Sequence, residues 1–129
     1  MKPFLLKHTV TKEEIDELNH VNNVVYVQWV QMIATEHWAE LVKNQPDFHG
    51  IWVLIRHEID YVKSAVLGDV ITLKTWVGES SGLKSVRHVA ILKGSELLAK
   101  SATTWCLLDV KTNKPLRLSE SVLKILNPS

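Results

Sequence analysis

The spacing of hydrophobic residues changes after residue 42 and divides this chain into a helical and a strand-forming part. From Val24 to Val42, apolar residues recur at helical intervals and leave only a narrow polar stripe. A helix with so wide an apolar surface is expected to be mostly enclosed. Beyond a loop at residues 43–50, which is rich in Asn, Pro, Asp and Gly, hydrophobic and polar residues alternate. Such alternation is typical of strands with one covered face.

Five strands are predicted, and the turn residues between them favour antiparallel hairpins. The predicted strands cover residues 4–10, 53–61, 70–77, 83–93 and 96–109. In the second strand, one face is predicted to carry Val53, Ile55, His57, Ile59 and Tyr61. A short helix at residues 119–126, with Ser119 as its N-cap, is predicted near the end of the chain. These elements indicate the α+β class, with a curved antiparallel sheet of about five strands wrapped around one long central helix.

Composition agrees with one small enzyme domain. A chain of 129 residues is long enough for one hydrophobic core, so a single domain over residues 1–129 is expected. With 46% hydrophobic residues and a formal net charge of +1, neither disorder nor a strongly basic nucleic-acid binder is indicated. Five Trp residues supply large apolar area, part of which is expected at subunit contacts.

Cysteine content and the N-terminus add little specific information. Cys106 is the only cysteine, which excludes an intrachain disulfide, and its place in a predicted strand indicates an inert structural thiol. The N-terminal apolar stretch is too short for a signal peptide, and no apolar run approaches the ~18 residues of a membrane span. A cytoplasmic location without membrane contact is the expectation.

The start of the long helix combines capping residues with an acidic side chain. Asn22 or Asn23 can cap the helix, because an Asn side chain accepts a backbone N–H two or three residues ahead. Asp16 lies just before this point. A carboxylate beside open helix N–H groups is a hydrolytic arrangement, since the acid can activate water or attack while the amides hold an oxyanion. The alternative is a surface Asp that stabilises the helix dipole.

Asp16 to Tyr26 also carries a family resemblance. The pattern D-x-x-x-H-V-N-N-x-x-Y, followed by a Trp and a long apolar helix, resembles the hotdog-fold acyl-CoA thioesterases of the 4-hydroxybenzoyl-CoA thioesterase type. The likeness continues through residues 58–69, 99–109 and 114–118, so that it spans nearly the whole chain. Two positions depart from relatives. Many have Gly in place of Asn19, and plant acyl-carrier-protein thioesterases have Asn in place of Leu18.

The resemblance implies an enzyme that hydrolyses an acyl-CoA thioester to a carboxylic acid and CoA. It makes Asp16 the general base or the nucleophile, and the backbone N–H of Asn23 the oxyanion donor, with Val24 next in line. His20 is a candidate to orient Asp16 or to hold the loop. Some relatives place a catalytic Glu on the central helix, but Glu36 lies on the polar stripe, where a solvated or subunit-facing role is expected.

Substrate contacts are predicted in two places. The phosphates of CoA call for basic groups, and Lys84, Arg87 and Lys63 are candidates, although cations at a solvated sheet edge are an equal alternative. The likeness also makes Tyr26 a candidate substrate contact. Chain length depends on how the acyl pocket is closed and stays open; the side chains expected to close it are Trp29, Ile33, Val53 and Ile55.

A metal or redox cofactor is not expected. The six His residues are scattered without ligand spacing, and the sequence has no Gly-x-Ser-x-Gly elbow, Walker loop or dinucleotide fingerprint. CoA enters only as part of the substrate. The family likeness implies a homodimer with two active sites at the subunit boundary, often paired into a tetramer. Outward apolar residues agree with self-association: Leu54, Trp76 and Val86.

Three other functions stay open. Hydrolysis of acyl groups on acyl carrier protein would be favoured by a strongly basic docking patch, which the near-neutral charge gives little sign of. A non-catalytic module that binds acyl-CoA would keep the fold without releasing thiol. Dehydration or hydration of a hydroxyacyl chain uses a different His-plus-acid pattern in hotdog relatives, which the sequence does not show.

Overall fold

A computed structural model describes residues 2–128 and confirms the α+β class. The elements follow in the order expected from the sequence, with boundaries shifted by a few residues. They are strand β1 (Phe4–Thr9), a 3₁₀ turn (Lys12–Glu14), helix α1 (Asn23–Val42), strands β2 (Gly50–Tyr61), β3 (Val70–Ser81), β4 (Lys84–Lys93) and β5 (Glu96–Asp109), and helix α2 (Glu120–Leu126).

The five strands form one antiparallel sheet in the order β1-β3-β4-β5-β2. The central helix α1 packs on its concave face, which confirms the hotdog fold. Buried helix residues such as Val30 and Ile33 meet inward residues of the strands such as Leu73 and Ile91 in the main core. A smaller cluster forms where α2 covers the far end of α1, around Leu107 and Leu126. Within residues 2–128, no helix is long and apolar enough to cross a membrane.

The sheet leaves strand β2 at one edge, which matters for assembly. β2 is 12 residues long and pairs only with β5 on its inner side. Its apolar residues Ile51, Val53 and Ile55 are 46%, 38% and 49% exposed. A long edge strand with unpaired backbone groups and exposed apolar side chains is a surface for pairing with another chain.

The predicted face of β2 is wrong in its first half because of a β-bulge. Leu54 pairs with Trp105 and Arg56 with Thr104, so that Ile55 is inserted between them. An extra residue exchanges the two faces of a strand. His57, Ile59 and Tyr61 therefore face the helix as predicted, but Val53 and Ile55 lie on the outer face. They cannot close an internal acyl pocket, in contrast to Trp29 and Ile33, which are buried.

The outer face of the sheet carries part of the predicted apolar surface. Trp76 lies there, stacked on His88 with ring centroids 5.6 Å apart, and Val86 lies on the same face. Leu54 does not, because it is opposite Trp105 on the inner face. The outer face is thus less apolar than the sequence indicated, and among the strands β2 carries the most exposed large apolar residues.

Candidate active site

The segment between the 3₁₀ turn and α1 is a tight loop closed by backbone hydrogen bonds. Ile15 and Val21 form an antiparallel bridge across its base. The N–H of Asp16 donates to the carbonyl of His20 at 2.8 Å, and the N–H of Asn19 donates to the carbonyl of Asp16 at 3.0 Å. The loop therefore holds Asp16 at a defined place just before the helix.

The backbone conformation at Asn19 accounts for the Gly that the family pattern has at this position. Its φ is +63°, in the left-handed region. Glycine enters that region without steric cost, and Asn is among the side chains that tolerate it best. The departure from the family pattern at Asn19 therefore keeps the backbone conformation that the loop needs.

The Asp16 carboxylate is bound through one oxygen only. Oδ1 accepts the N–H of Leu18 at 2.9 Å and lies 3.4 Å from the N–H of His20. Oδ2 has no hydrogen-bond donor among residues 2–128, and the side chain is half-buried. One oxygen thus fixes the orientation of the carboxylate, and the other is left to act on water or on a substrate.

The N-cap of α1 determines which of the first backbone N–H groups of the helix are hydrogen-bonded. Asn22 is the N-cap, and its side-chain oxygen accepts the N–H of Val24 at 3.0 Å, while its carbonyl accepts the N–H of Val25 at 2.8 Å. Val24, the second predicted oxyanion donor, is therefore occupied. The N–H of Asn23 has no acceptor in the described part of the chain. Of the first helix amides, it is the one free to donate to an oxyanion.

Glu14 holds this loop against the sheet and the helix. Its carboxylate accepts from Nε2 of His8 at 2.8 Å, from Nε1 of Trp29 at 2.9 Å and from the N–H of Thr11 at 2.9 Å. Partial burial raises its pKa, but these hydrogen bonds outweigh that effect, so the pKa of Glu14 lies below its usual value. Its carbonyl also accepts the N–H of Asn22 at 3.0 Å.

Sequence analysis missed the role of Glu14, although a signal for it existed. Thr11 and Glu14 have the T-x-x-E spacing of a capping box, and the structure forms one there. The pattern marks a helix start, but the contacts to His8 and Trp29 depend on the tertiary fold. Glu14 links β1, the Asp16 loop and α1, and so positions the site without touching the open oxygen of Asp16.

His20 and Tyr26 lie beside this site in different ways. The His20 side chain is exposed, and its carbonyl rather than its ring contacts Asp16. Tyr26 is only 2% exposed, and its hydroxyl accepts the N–H of Ala65 at 2.9 Å. Burial raises the pKa of the Tyr26 phenol, although the Ala65 amide opposes this. Tyr26 anchors the loop after β2 beneath the helix start, and its contact with substrate stays a prediction.

The predicted phosphate-binding cations do not form one patch. Lys84 is exposed at the start of β4, and Lys63 pairs with Glu96 at 2.8 Å. Arg87 is only 6% exposed and points to the inner face of the sheet. The inner position argues against a phosphate contact of Arg87 at the sheet rim. Glu36 is exposed on α1, as expected for its polar stripe.

Arg87 instead lines a half-open cavity of about 300 Å³ between α1, α2 and the start of β2, named here the Arg87 cavity. Nη1 of Arg87 donates to Nδ1 of His37 at 2.7 Å and to Oγ1 of Thr75 at 3.1 Å. Burial lowers the pKa of Arg87 to about 10, so it is protonated at neutral pH. Burial, together with the Arg87 charge, lowers the pKa of His37 to about 4, so His37 is neutral.

The remaining wall of the Arg87 cavity is mainly apolar and aromatic. Nε1 of Trp52 is buried and has no hydrogen-bond partner within residues 2–128. The other large side chains of the wall are Trp38, Ile51, Trp105 and Leu126. Alternation in β2 and β5 puts Trp52 and Trp105 on the same inner face as Arg87.

The described residues contain no group of three or more His, Cys, Asp or Glu side chains placed to hold a metal ion. The reactive groups that the structure places at the helix start are one carboxylate and one free amide. A carboxylate can take a proton from water or attack a carbonyl carbon, and an amide N–H stabilises the oxyanion that forms. A thioester suits this small set of groups, because its thiol is a good leaving group.

Comparisons with known proteins identify the family of this chain. A family model described as the acyl-ACP thioesterase N-terminal domain matches residues 2–126. The long-chain acyl-CoA thioesterase FadM of Escherichia coli (strain K12) is 26% identical over 112 residues, which cover 81% of this chain and 82% of that protein.

Two solved structures share the fold at lower identity. The probable thioesterase YbaW from Escherichia coli superposes with a TM-score of 0.86 at 21% identity and covers 95% of both chains. The protein SAV2348 from Staphylococcus aureus, solved in complex with CoA, has a TM-score of 0.85 at 17% identity over 96% of this chain and 81% of that chain. Because the family model matches nearly the whole length of this chain, the chain belongs to the acyl-ACP thioesterase family and has the hotdog fold of thioester hydrolases.

Proposed function

We propose that this protein hydrolyses acyl-CoA thioesters with Asp16 and the N–H of Asn23. Acting as general base, Asp16 takes a proton from water through Oδ2, and the water oxygen attacks the thioester carbonyl carbon. The oxyanion is held by Asn23, the C–S bond breaks, and the thiolate of CoA takes up a proton. Acting as nucleophile, Asp16 attacks the carbonyl carbon, the C–S bond breaks with release of CoA, and water hydrolyses the resulting mixed anhydride to the free acid and the Asp16 carboxylate. The observations that support both routes are the open oxygen of Asp16 and the uncapped amide of Asn23, which lie at the two ends of one short hydrogen-bonded loop.

CoA is the proposed carrier, even though the matched family model is named for acyl carrier protein. The curated relative FadM is an acyl-CoA thioesterase. Exposed Glu13 and Glu17 flank Asp16, and the net charge of the chain is only +1. An acidic carrier protein would need basic docking residues at this point. Since CoA thioesters are intracellular metabolites, a cytoplasmic location is part of the proposal. The chemistry requires no metal or redox cofactor.

The proposal includes a homodimer built through β2, within which each chain acts as one domain. Antiparallel pairing of two β2 edges about a two-fold axis would satisfy their free backbone groups and extend the sheet into the second subunit. Pairing through the middle of β2 sets Gly50 of one subunit opposite Tyr61 of the other. Tyr61 lies at the start of α1 in its own subunit, because its hydroxyl donates to the carbonyl of Asn23 at 3.3 Å. A further pairing of dimers into a tetramer is compatible with this arrangement.

Substitution of Asp16 by Asn tests the function. An Asn side chain can still accept the N–H of Leu18, so the loop is retained while the charged oxygen is lost. We expect thiol release from acyl-CoA to fall at least about a hundredfold, with an unchanged circular dichroism spectrum. Asp47→Asn, in an exposed loop, is the matched control and is expected to keep full activity. Equal activity of the Asp16 and Asp47 variants would refute the proposed role.

Three further measurements separate the alternatives. Label in Asp16 after a single turnover in oxygen-18 water would identify it as the nucleophile, because water must then have attacked the aspartyl carbon of a mixed anhydride. Binding of acyl-CoA by the wild-type protein without release of thiol would identify a non-catalytic acyl-binding module instead. Release of thiol from acyl carrier protein at a much higher kcat/KM than from CoA would assign the other carrier.

A further inference from the structure

Arg87 carries a positive charge inside the fold that no carboxylate of the described chain neutralises. Both of its acceptors are neutral, since His37 is unprotonated at neutral pH and Thr75 provides a hydroxyl. Burial of a charge without a partner is costly, and buried cations in proteins are normally paired. The surroundings of Arg87 therefore favour an anion on the side of the guanidinium that faces the cavity.

The guanidinium still has donors for such an anion. Only Nη1 is hydrogen-bonded within residues 2–128, to His37 and Thr75. The N–H groups of Nε and Nη2 have no acceptor there. Both nitrogens are accessible, because within residues 2–128 the only fully buried side-chain nitrogen or oxygen without a hydrogen bond is Nε1 of Trp52. Arg87 reaches open space through the cavity that it lines. The planar fork of a guanidinium matches the two oxygens of a carboxylate.

Trp52 supplies a second, independent donor on the same cavity. Its indole N–H can only donate, and it is both buried and unpaired. A buried donor of this kind favours a ligand with an acceptor oxygen. Two donors from different strands, Arg87 on β4 and Trp52 on β2, thus line one cavity.

The rest of the wall of the Arg87 cavity is suited to a hydrocarbon group. The side chains of Trp38, Trp105 and Leu126 are apolar over most of their surface. A volume of about 300 Å³ is at the lower end of small-ligand sites. The complementary ligand is accordingly a hydrocarbon or aromatic group that ends in an anionic oxygen.

The position of the cavity fits the far end of an acyl group. Within its own subunit the cavity is remote from the helix start, because Ala34 in its wall is 11 residues after Asn23, about 17 Å along α1. The mouth of the cavity includes Gly50 and Ile51 at the start of β2. In the paired β2 edges proposed above, the start of one strand lies beside the end of the other, next to Tyr61 and the helix start. The cavity of one subunit then adjoins the reacting carboxylate of its partner.

We propose that the Arg87 cavity binds the distal end of the acyl group and selects acyl chains that carry a carboxylate there, held by Arg87 and Trp52. This inference rests on the proposed thioester hydrolysis and on the β2 dimer. It specifies the substrates of that site as CoA thioesters of acyl groups that end in a carboxylate, called ω-carboxyacyl groups. The reaction itself is unchanged, because the distal carboxylate is bound and not transformed.

Kinetics with two matched substrates test the selection. For the wild-type protein, kcat/KM for ω-carboxyoctanoyl-CoA is expected to exceed that for octanoyl-CoA at least about tenfold. Arg87→Met removes the charge at similar length and is expected to abolish or reverse this ratio. Trp52→Phe removes only the N–H and is expected to reduce it. Lys100→Met removes a cation from the outer face of the sheet and should leave the ratio unchanged. A wild-type preference for octanoyl-CoA would overturn the inference, as would a ratio unaffected by both cavity variants.

Equilibrium binding separates failure of this inference from failure of the proposed function. Octanoate and octanol are titrated while the fluorescence of the cavity tryptophans is recorded, which needs no turnover. We expect octanoate to bind the wild-type protein at least about tenfold more tightly than octanol, and Trp52→Phe to narrow the difference. This result in a protein that hydrolyses no acyl-CoA would refute the proposed function but retain the anion site. Equal affinities in an active thioesterase would refute the anion site alone. If Arg87→Met does not fold, Trp52→Phe and the binding comparison decide.

Discussion

The side-chain oxygen of Asn22 accepts the N–H of Val24 at 3.0 Å, which leaves the N–H of Asn23 as the free amide at the start of α1. Loss of this cap should loosen the first helical turn. We expect Asn22→Ala to lower the free energy of unfolding by about 0.5–2 kcal/mol and to reduce kcat by about tenfold, because the oxyanion donor is no longer held in place.

A matched control exists at the other helix. Ser119 caps α2 by accepting the N–H of Val122 at 3.3 Å, and it makes no hydrogen bond to the Asp16 loop or to the start of α1. Ser119→Ala should cost a similar free energy of unfolding and leave kcat unchanged. Urea unfolding and steady-state thiol release measure both quantities. If the two variants lose equal stability and equal kcat, the cap of α1 has no special role in catalysis.

Glu14 offers a test of loop positioning. Glu14→Gln keeps the size of the side chain but replaces the charged acceptor of His8 and Trp29 with a neutral one. We expect the free energy of unfolding to fall by about 1–3 kcal/mol and kcat to fall more than KM rises. Glu13→Gln, one residue earlier and exposed, should change neither. Equal behaviour of the two variants would show that the Glu14 contacts do not hold the site.

The lowered pKa of His37 leads to a prediction of how the free energy of unfolding depends on pH. Its pKa is about 4 in the folded protein and about 6.5 when unfolded, so the unfolded chain binds the proton first as pH falls. Its stabilising contribution is complete above pH 6.5 and is lost between pH 6.5 and 4, by up to about 1.4 kcal/mol per pH unit. Urea unfolding at pH 7 and pH 5 measures this loss.

His37→Gln provides the comparison for this prediction. Glutamine has an acceptor oxygen for Arg87 but no group that titrates in this range. The difference in unfolding free energy between pH 7 and pH 5 should therefore be smaller in the variant. An identical pH dependence in both proteins would mean that His37 is not kept neutral by its surroundings.

Ile55 is suited to testing the β2 dimer. As the inserted residue of the bulge, it is outside the paired register with β5, so proline is tolerated there within the subunit. At the middle of the free edge, proline would interrupt pairing with a second β2. Sedimentation should give a dimer of the 14.7 kDa chain for the wild type and for Ile55→Ala, and a monomer for Ile55→Pro. A folded Ile55→Pro dimer would place the interface elsewhere.

Local signals in the sequence were sufficient for the secondary structure and for the start of helix α1. The N-cap oxygen, the Gly turns and the periodicity of α1 act over a few residues, so the helix start and most strands were predicted within a few positions. Asp16 and Asn23 were predicted through the same short motif. The choice of Asn22 as the cap, and hence the occupation of Val24, follows from side-chain geometry that the sequence left open.

Longer-range features were not predictable in the same way. The bulge at Ile55 depends on register with β5, and nothing in the alternation of residues 53–61 indicated it. Arg87 was predicted as a phosphate contact of CoA or as a cation at a solvated sheet edge, because the sequence does not show which face of β4 turns inward. Glu14 was overlooked, since its partners His8 and Trp29 are brought to it only by the fold.

The bulge in β2 has a consequence for how this strand tolerates changes in length. Leu54 and Arg56 are opposite neighbouring residues of β5, so a deletion of Ile55 would join them into a regular ladder and preserve the parity of every other side chain. A deletion at Val53 or His57 would also absorb the bulge, but it would move Leu54 to the outer face or Arg56 to the inner face. Ile55 is therefore a residue that β2 can lose while its core residues keep facing the helix.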